Sequence, residues 1–377
     1  MNKIHRDYCV FTHNKDLELL YKFSNFPIFM GCVETPPEKD LFADMDWHIS
    51  KSSGSLQLNP LIPQDVLYHE QHSESVGGIW TTHHEEFAKF INSFNCSKVF
   101  EIGGALGILA RNFQRLQPNT EWIILEPNPR INEDINVKVI KGFFDSSFKY
   151  NGTIDCVVHS HVFEHIYFPE DFVKQLSVFI PEDKYHFFSI PNMMSQLKSF
   201  YTNCLNFEHT CFLIEPYVDN LLSANGFEII TKKYFGEHSI FYATKRTYKY
   251  KQIEPFPNLY MQNKKLFNDF VGYHKALIYT LNKKMNESQY PIYLFGAHVF
   301  SQFLIAFGLN TEKIVCILDN GSKKIGKRLY GTKMRVESPK ILKDASTVSV
   351  ILKAGIYNEE IMSDILENIN PHVEFWE

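Results

Sequence analysis

The chain has 377 residues, 44% hydrophobic and 15% aromatic, with 38 basic side chains against 43 acidic ones and a formal net charge of −5. That much apolar material fills two or three domain cores without disulfide or metal staples. The near balance of charge excludes a nucleic-acid groove or a polybasic membrane surface as the organising feature.

The amino terminus, Met1-Asn2-Lys3-Ile4-His5-Arg6-Asp7-Tyr8, carries no apolar signal segment, and no later run nears the roughly 18 apolar residues of a membrane span. Cys9, Cys32, Cys96, Cys156, Cys204, Cys211 and Cys316 stand far apart with no CxxC pair, the usage of reduced thiols. A cytoplasmic, soluble protein is expected. Residues 1–60 are poorly periodic and read as a small irregular module with a few short strands and one helical turn over Asp16 to Phe23. In it Cys9, Thr12, Ser50 and Ser53 occupy positions where cysteines would make a zinc ribbon; hydroxyls are poor zinc ligands, so no metal is expected. Next comes Tyr68-His69-Glu70-Gln71-His72, which reads either as the lining of a polar pocket or as a solvated turn before a helix over Thr81 to Asn92.

From Cys96 to about Arg246 strands and helices alternate. Strands are expected at Lys98 to Ile102, Trp122 to Leu125, Val137 to Ile140, Ile154 to Val158, Tyr185 to Ser189, Phe227 to Lys232 and Ser239 to Thr244. Helices fit at 107–116, 169–180 and 215–225, giving a doubly wound α/β sheet. A Lys/Pro/Tyr-rich connection leads into a long helix, with Leu266, Phe267, Phe270, Val271, Leu277, Ile278 and Leu281 at helical spacing. A second α/β unit begins with the strand and glycine turn Tyr293-Leu294-Phe295-Gly296-Ala297-His298. The expected plan is therefore a module and substrate loop over 1–90, a cofactor domain over 91–246, a linker helix over 247–289 and a second Rossmann-like domain over 290–377.

Four motifs of the central unit carry chemistry. Glu101-Ile102-Gly103-Gly104-Ala105-Leu106-Gly107 closes the first strand in a G-x-x-x-G turn, which is not the G-x-G-x-x-G of a dinucleotide cradle. Glu126 tips the second strand about twenty residues on, where a carboxylate accepts the hydroxyls of a ribose. Phe144 and Asp145 follow the third strand, suited to stacking on adenine and accepting its amino group. His159, His161 and His165 end the fourth, and His159 reads as structural. The ordered set resembles the class I S-adenosylmethionine (SAM) methyltransferases, with a nicotinamide oxidoreductase on the same superfold as the competing reading.

The flanks narrow that resemblance. The chain is similar to the three-domain sugar C-methyltransferases that act on nucleotide-linked 4-keto-deoxysugars. The similarity rests on Tyr293-Leu294-Phe295-Gly296-Ala297, Asp319-Asn320, Lys324-Ile325-Gly326, Tyr330-Gly331-Thr332, Ser338-Pro339 and Asn358-Glu359-Glu360-Ile361. The resemblance implies a class I SAM methyltransferase central domain with a small amino-terminal module and a second, carboxy-terminal Rossmann-like α/β domain. SAM is the implied cofactor, without a metal, and a nucleotide-linked sugar the implied partner; neither nucleic acid nor membrane is expected, and the oligomeric state is left open.

Carried over residue by residue, the resemblance implies cofactor contacts at Glu101, Gly103, Gly104, Gly107, Glu126, Phe144, Asp145 and His161. It implies acceptor contacts at Tyr68, His69 and Asn206, and catalytic roles for His209, Glu208, His165 and His72. This chain has Thr12, Ser50 and Ser53 for three zinc cysteines, Ala105-Leu106 for an Asn-Asp pair, and His72 and Asn206 for tyrosines. Base-assisted C-methylation, O-methylation of a sugar hydroxyl by the same histidines, and a binding protein without turnover all stay open. The Gly296-Ala297-His298 turn with Asp319 reads as a structural echo that walls off the acceptor cleft, or as a second nucleotide site.

Overall fold

In a computed structural model, residues 2–68, 78–131, 135–247 and 255–377 of the chain are described. The amino-terminal sheet pairs β1 (Leu17–Pro27), β2 (Phe42–Ser50) and β3 (Leu56–Leu58) antiparallel, in that order. The helical turn expected over Asp16 to Phe23 is therefore strand. Leu17, Leu19, Leu20, Tyr21 and Phe23 satisfy both helical and alternating spacing, and pairing with β2 decides for the strand. At the end of this sheet the four expected positions do meet. Cys9 Sγ lies 3.3 Å from Ser53 Oγ and 3.2 Å from Ser55 Oγ, Thr12 Oγ1 and Ser50 Oγ both reach Ser52 Oγ (3.3 and 3.2 Å), and Ser50 Oγ donates to Asp16 (2.9 Å). Hydrogen bonds among hydroxyls and one thiol hold the knuckle's outline.

Side chains that alternate between two buried faces build the central sheet. Its strands are β4 (Lys98–Ile102), β5 (Glu121–Glu126), β6 (Val137–Lys141), β7 (Cys156–Ser160), β8 (Tyr185–Pro191), β9 (Phe227–Phe235) and β10 (Ser239–Arg246). They lie in the order β9-β10-β8-β7-β4-β5-β6, with only β10 antiparallel to its neighbours. Val99, Trp122, Ile124, Val158 and Phe187 face α1 (Gly78–Asn92) and α2 (Ile108–Leu116). Phe100, Ile123, Leu125, Val157 and Phe188 face α3 (Pro169–Phe179) and α5 (Glu215–Ala224), in a core shared with the amino-terminal sheet. Helices thus cover both faces, as a mostly parallel sheet requires. The short helix α4 (Met193–Lys198) follows β8.

The linker helix is α6 (Tyr260–Glu287), which buries Phe267, Phe270, Ile278 and Leu281. Beyond it β11 (Ile292–Phe295), β12 (Ile314–Leu318), β13 (Val336–Glu337), β14 (Val348–Leu352) and β15 (Val373–Trp376) form a parallel sheet in the order β13-β12-β11-β14-β15. Asp319, past the tip of β12, accepts from Ala297 N (2.9 Å) and from Lys324 Nζ (2.9 Å). Arg328 and Asp40, both nearly buried, pair through two hydrogen bonds of 2.6 and 2.7 Å and tie this sheet to the amino-terminal module.

Candidate active site

Counted within the central sheet, the strand order is 6-7-5-4-1-2-3, so the connections reverse direction between β4 and β7. Ligands of open α/β sheets bind at such a switch point, outside the carboxyl ends of the strands. The glycine turn stands there. Gly103 (φ +75) and Gly107 (φ +69) take left-handed backbone, and a Cβ on Gly103 would meet Val162 Cγ2 at 2.6 Å. Ala105, also left-handed at φ +42, donates its N–H to Glu126 Oε2 at 3.1 Å, while Asn128 N donates to Glu126 Oε1 at 2.9 Å. A carboxylate that spans the tips of β4 and β5 in this way is placed for a ribose diol, so the chain's residues fit the adenosyl part of SAM.

Four of the expected cofactor contacts, Glu101, Phe144, Asp145 and His161, are engaged by other side chains of the protein. Glu101 is buried under the turn, where it accepts from Trp122 Nε1 (2.7 Å), and a Cβ on Gly104 would sit 3.1 Å from its carboxyl. Burial pushes its pKa up to about 7; it supports the loop from beneath. Phe144 packs its ring against Phe148, Phe172 and Phe179, and Phe143, 53% exposed, is the ring left open at the edge of β6. Asp145 spends one oxygen on the N–H and hydroxyl of Ser147 (2.9 and 2.6 Å) and rests well exposed. His161, left-handed at φ +52, has its ring nitrogens 2.9 Å from Ser239 Oγ and 3.1 Å from Glu164 Oε1.

A second group of side chains lies beyond the tip of β7. His165 Nδ1 is 3.1 Å from Tyr68 Oη and 3.5 Å from Glu208 Oε2, its Nε2 is 4.0 Å from Glu164 Oε1, and its ring centroid is 5.3 Å from that of His209. Burial lowers His165 to about 4 and also lowers His209, so both imidazoles are neutral. Burial raises Glu164, and burial together with the Glu164 charge raises Glu208 to about 7. His209 Nδ1 lies 3.2 Å from the Cys204 carbonyl, which takes the proton there and leaves Nε2 with a free lone pair.

Asn206 shapes the turn that presents the pair: its Oδ1 accepts from Glu208 N and His209 N at 2.8 Å each, and its Nδ2 donates to Asn203 O. Buried Arg6 donates to the carbonyls of Tyr167, Leu58 and Thr210, drawing the loops that carry His165 and His209 onto the amino-terminal sheet. Nothing in its sequence neighbourhood marks that role. His159 is a core residue as expected, stacked on Phe188 with its Nε2 3.0 Å from His186 Nε2. His69 and His72 lie outside the described residues.

Comparison with known proteins bears on this edge of the sheet. A family profile described as a methyltransferase domain matches residues 78–232. Comparison with curated proteins returned no match. Among solved structures, an O-methyltransferase family protein from Burkholderia thailandensis is similar at 10% identity and a TM-score of 0.38, over 45% of this chain and 56% of that one. Magnesium protoporphyrin IX methyltransferase from Synechocystis PCC 6803 is similar at 11% identity and 0.37, over 47% and 90%. The plantazolicin methyltransferase BpumL gives 10% and 0.36, over 45% and 84%. The chain thus spans little more than half the length of the Burkholderia protein. With the profile match lying on the 6-7-5-4-1-2-3 sheet and its glycine turn, residues 78–232 form a class I SAM-dependent methyltransferase domain whose cofactor is SAM.

Proposed function

We propose that the protein methylates a nucleotide-linked sugar, by removing a proton beside the carbonyl of a 4-keto-deoxysugar and presenting the resulting carbanion to SAM. Methylation of a sugar hydroxyl is the alternative with the same residues. The observation that carries the reading is the neutral His209, its Nδ1 tied to the Cys204 carbonyl, set beside His165 and two carboxyls of raised pKa.

SAM supplies an already activated methyl group, so the chain must hold the acceptor in line and manage one proton. Gly103, Gly104, Gly107 and Glu126 hold the adenosyl part, with Phe143 beside it. His209 Nε2 takes the proton, and the positive charge it acquires is met by buried Glu164. His165, paired with Tyr68 and Glu208, donates toward the acceptor oxygen as negative charge develops there. His161 acts through Glu164 instead of touching SAM. Tyr68 is followed in sequence by His69 and His72, which we assign to the acceptor side.

Incubating the protein with a nucleotide-linked 4-keto-deoxysugar in deuterated water, without SAM, tests the reading. Deuterium should enter beside the carbonyl, and His209→Ala should lose the exchange by roughly a hundredfold or more. An O-methylated product formed without any exchange would replace the C-methylation reading with the alternative.

A further inference from the structure

Four histidines crowd together where α1, the tip of β7 and the turn before β10 meet. The His83 ring centroid is 5.1 Å from His84, 5.1 Å from His161 and 5.4 Å from His238, and His161 and His238 are 5.6 Å apart. One ring nitrogen from each of His83, His161 and His238 lies within 4.8 Å of the other two. Their ring nitrogens contact two serines and one carboxylate: His83 Nε2 lies 2.8 Å from Ser189 Oγ, His161 Nε2 and His238 Nδ1 lie 2.9 and 2.5 Å from Ser239 Oγ, and His161 Nδ1 lies 3.1 Å from Glu164 Oε1. His83 Nδ1 is buried without a partner among the described residues. Such an atom in a native core calls for an explanation.

We propose that His83, His161 and His238 form a binding site for a borderline divalent cation such as Zn²⁺, stapling α1, the tip of β7 and the β9–β10 turn together. Three imidazoles suit zinc and its transition-metal neighbours and disfavour Mg²⁺ and Ca²⁺, which take oxygen donors. Imidazole binds such an ion through a ring nitrogen that carries no proton. His161 also has the outer partner expected of a metal-bound imidazole, the buried carboxylate of Glu164 at 3.1 Å from its second nitrogen. Zinc–nitrogen bonds of 2.0–2.1 Å set tetrahedral ligands roughly 3.3 Å apart, so nitrogens now within 4.8 Å of one another close by up to about 1.5 Å on binding. Water takes the fourth position. The site is separate from the Cys9 knuckle, and it leaves His165 and His209 free for proton transfer.

Chelator-treated full-length protein titrated with Zn²⁺ alone, by calorimetry, and with Co²⁺ alone, by visible spectroscopy, decides the matter. One equivalent should bind, with tetrahedral Co²⁺ bands and a rise in melting temperature. His238→Ala, on the half-buried turn, and independently His83→Ala should weaken binding at least roughly tenfold and abolish that rise. Cys9→Ser and His209→Ala should leave binding unchanged. No tetrahedral Co²⁺ spectrum, or binding that survives both His238→Ala and His83→Ala and disappears in His209→Ala or Cys9→Ser, would overturn the proposal.

Discussion

A carboxyl group that ionises where water is scarce costs the fold stability, and Glu208 is such a group. Its side chain is only 20% exposed, close to Glu164, and its pKa stands at about 7 against an ordinary 4.5. A carboxyl with a raised native pKa favours its protonated form. That preference is fully present below pH 4.5 and is lost as pH climbs through about 7. At 1.36 kcal/mol per unit, the difference of about 2.5 units amounts to roughly 3 kcal/mol. Glu208→Gln, which cannot ionise, should therefore gain stability relative to the wild type as pH rises from 5 to 8, while losing methyl transfer. Urea unfolding of both proteins across that range measures it; parallel curves would show that Glu208 titrates as a solvated carboxyl. Residue-scale chemistry was only half legible in the sequence. Glu126 could be marked from the tip of a parallel strand, whereas His165, Glu208 and His209 were marked only through the family resemblance; the structure brings those three side chains together. Phe144 and Phe143 could not be told apart, since which of two adjacent rings enters the core depends on α3, far along the chain.

At the scale of the element, the turn 206–209 shows how a short polar side chain directs longer ones. Asn206 Oδ1 caps the N–H groups of both Glu208 and His209, and the His209 ring leans back on Cys204 O. Asn206→Ala should lower kcat roughly 10- to 100-fold by letting His209 drift, with SAM binding unchanged, because small displacements of a reacting group cost about this much. Asn206→Asp, which keeps the acceptor oxygen, should restore most of the rate; equal rates in all three proteins would remove Asn206 from the positioning of the base. The strands of the central sheet were readable from alternation, and their observed limits fall close to the expected ones. β1 was not, because its leucines and aromatics fit two periods and a partner strand outside the window made the choice. The histidine group of His83, His161 and His238 was equally hidden, since 155 positions of sequence separate its outer members. The knuckle at Cys9, Thr12, Ser50 and Ser53 keeps its shape through hydroxyl hydrogen bonds, so residues foreign to zinc still bring its loops together.

Across the whole molecule one device appears twice. An acid at or just past the end of the second strand of a parallel sheet accepts from a backbone N–H of the glycine turn after the first: Glu126 from Ala105 N at 3.1 Å, and Asp319 from Ala297 N at 2.9 Å. Only the first lies within the span that matches a methyltransferase domain. The second also accepts from the Lys324 ammonium at 2.9 Å. The account therefore stands on the central edge alone. Its most direct test is a calorimetric titration of the full-length protein and of Glu126→Ala with SAM. The wild type should bind one equivalent, and Glu126→Ala should bind roughly 10- to 100-fold more weakly while melting cooperatively, as loss of charge-assisted hydrogen bonds to a ribose requires. Wild type that binds no SAM, or Glu126→Ala that binds it as tightly as the wild type, would contradict the account.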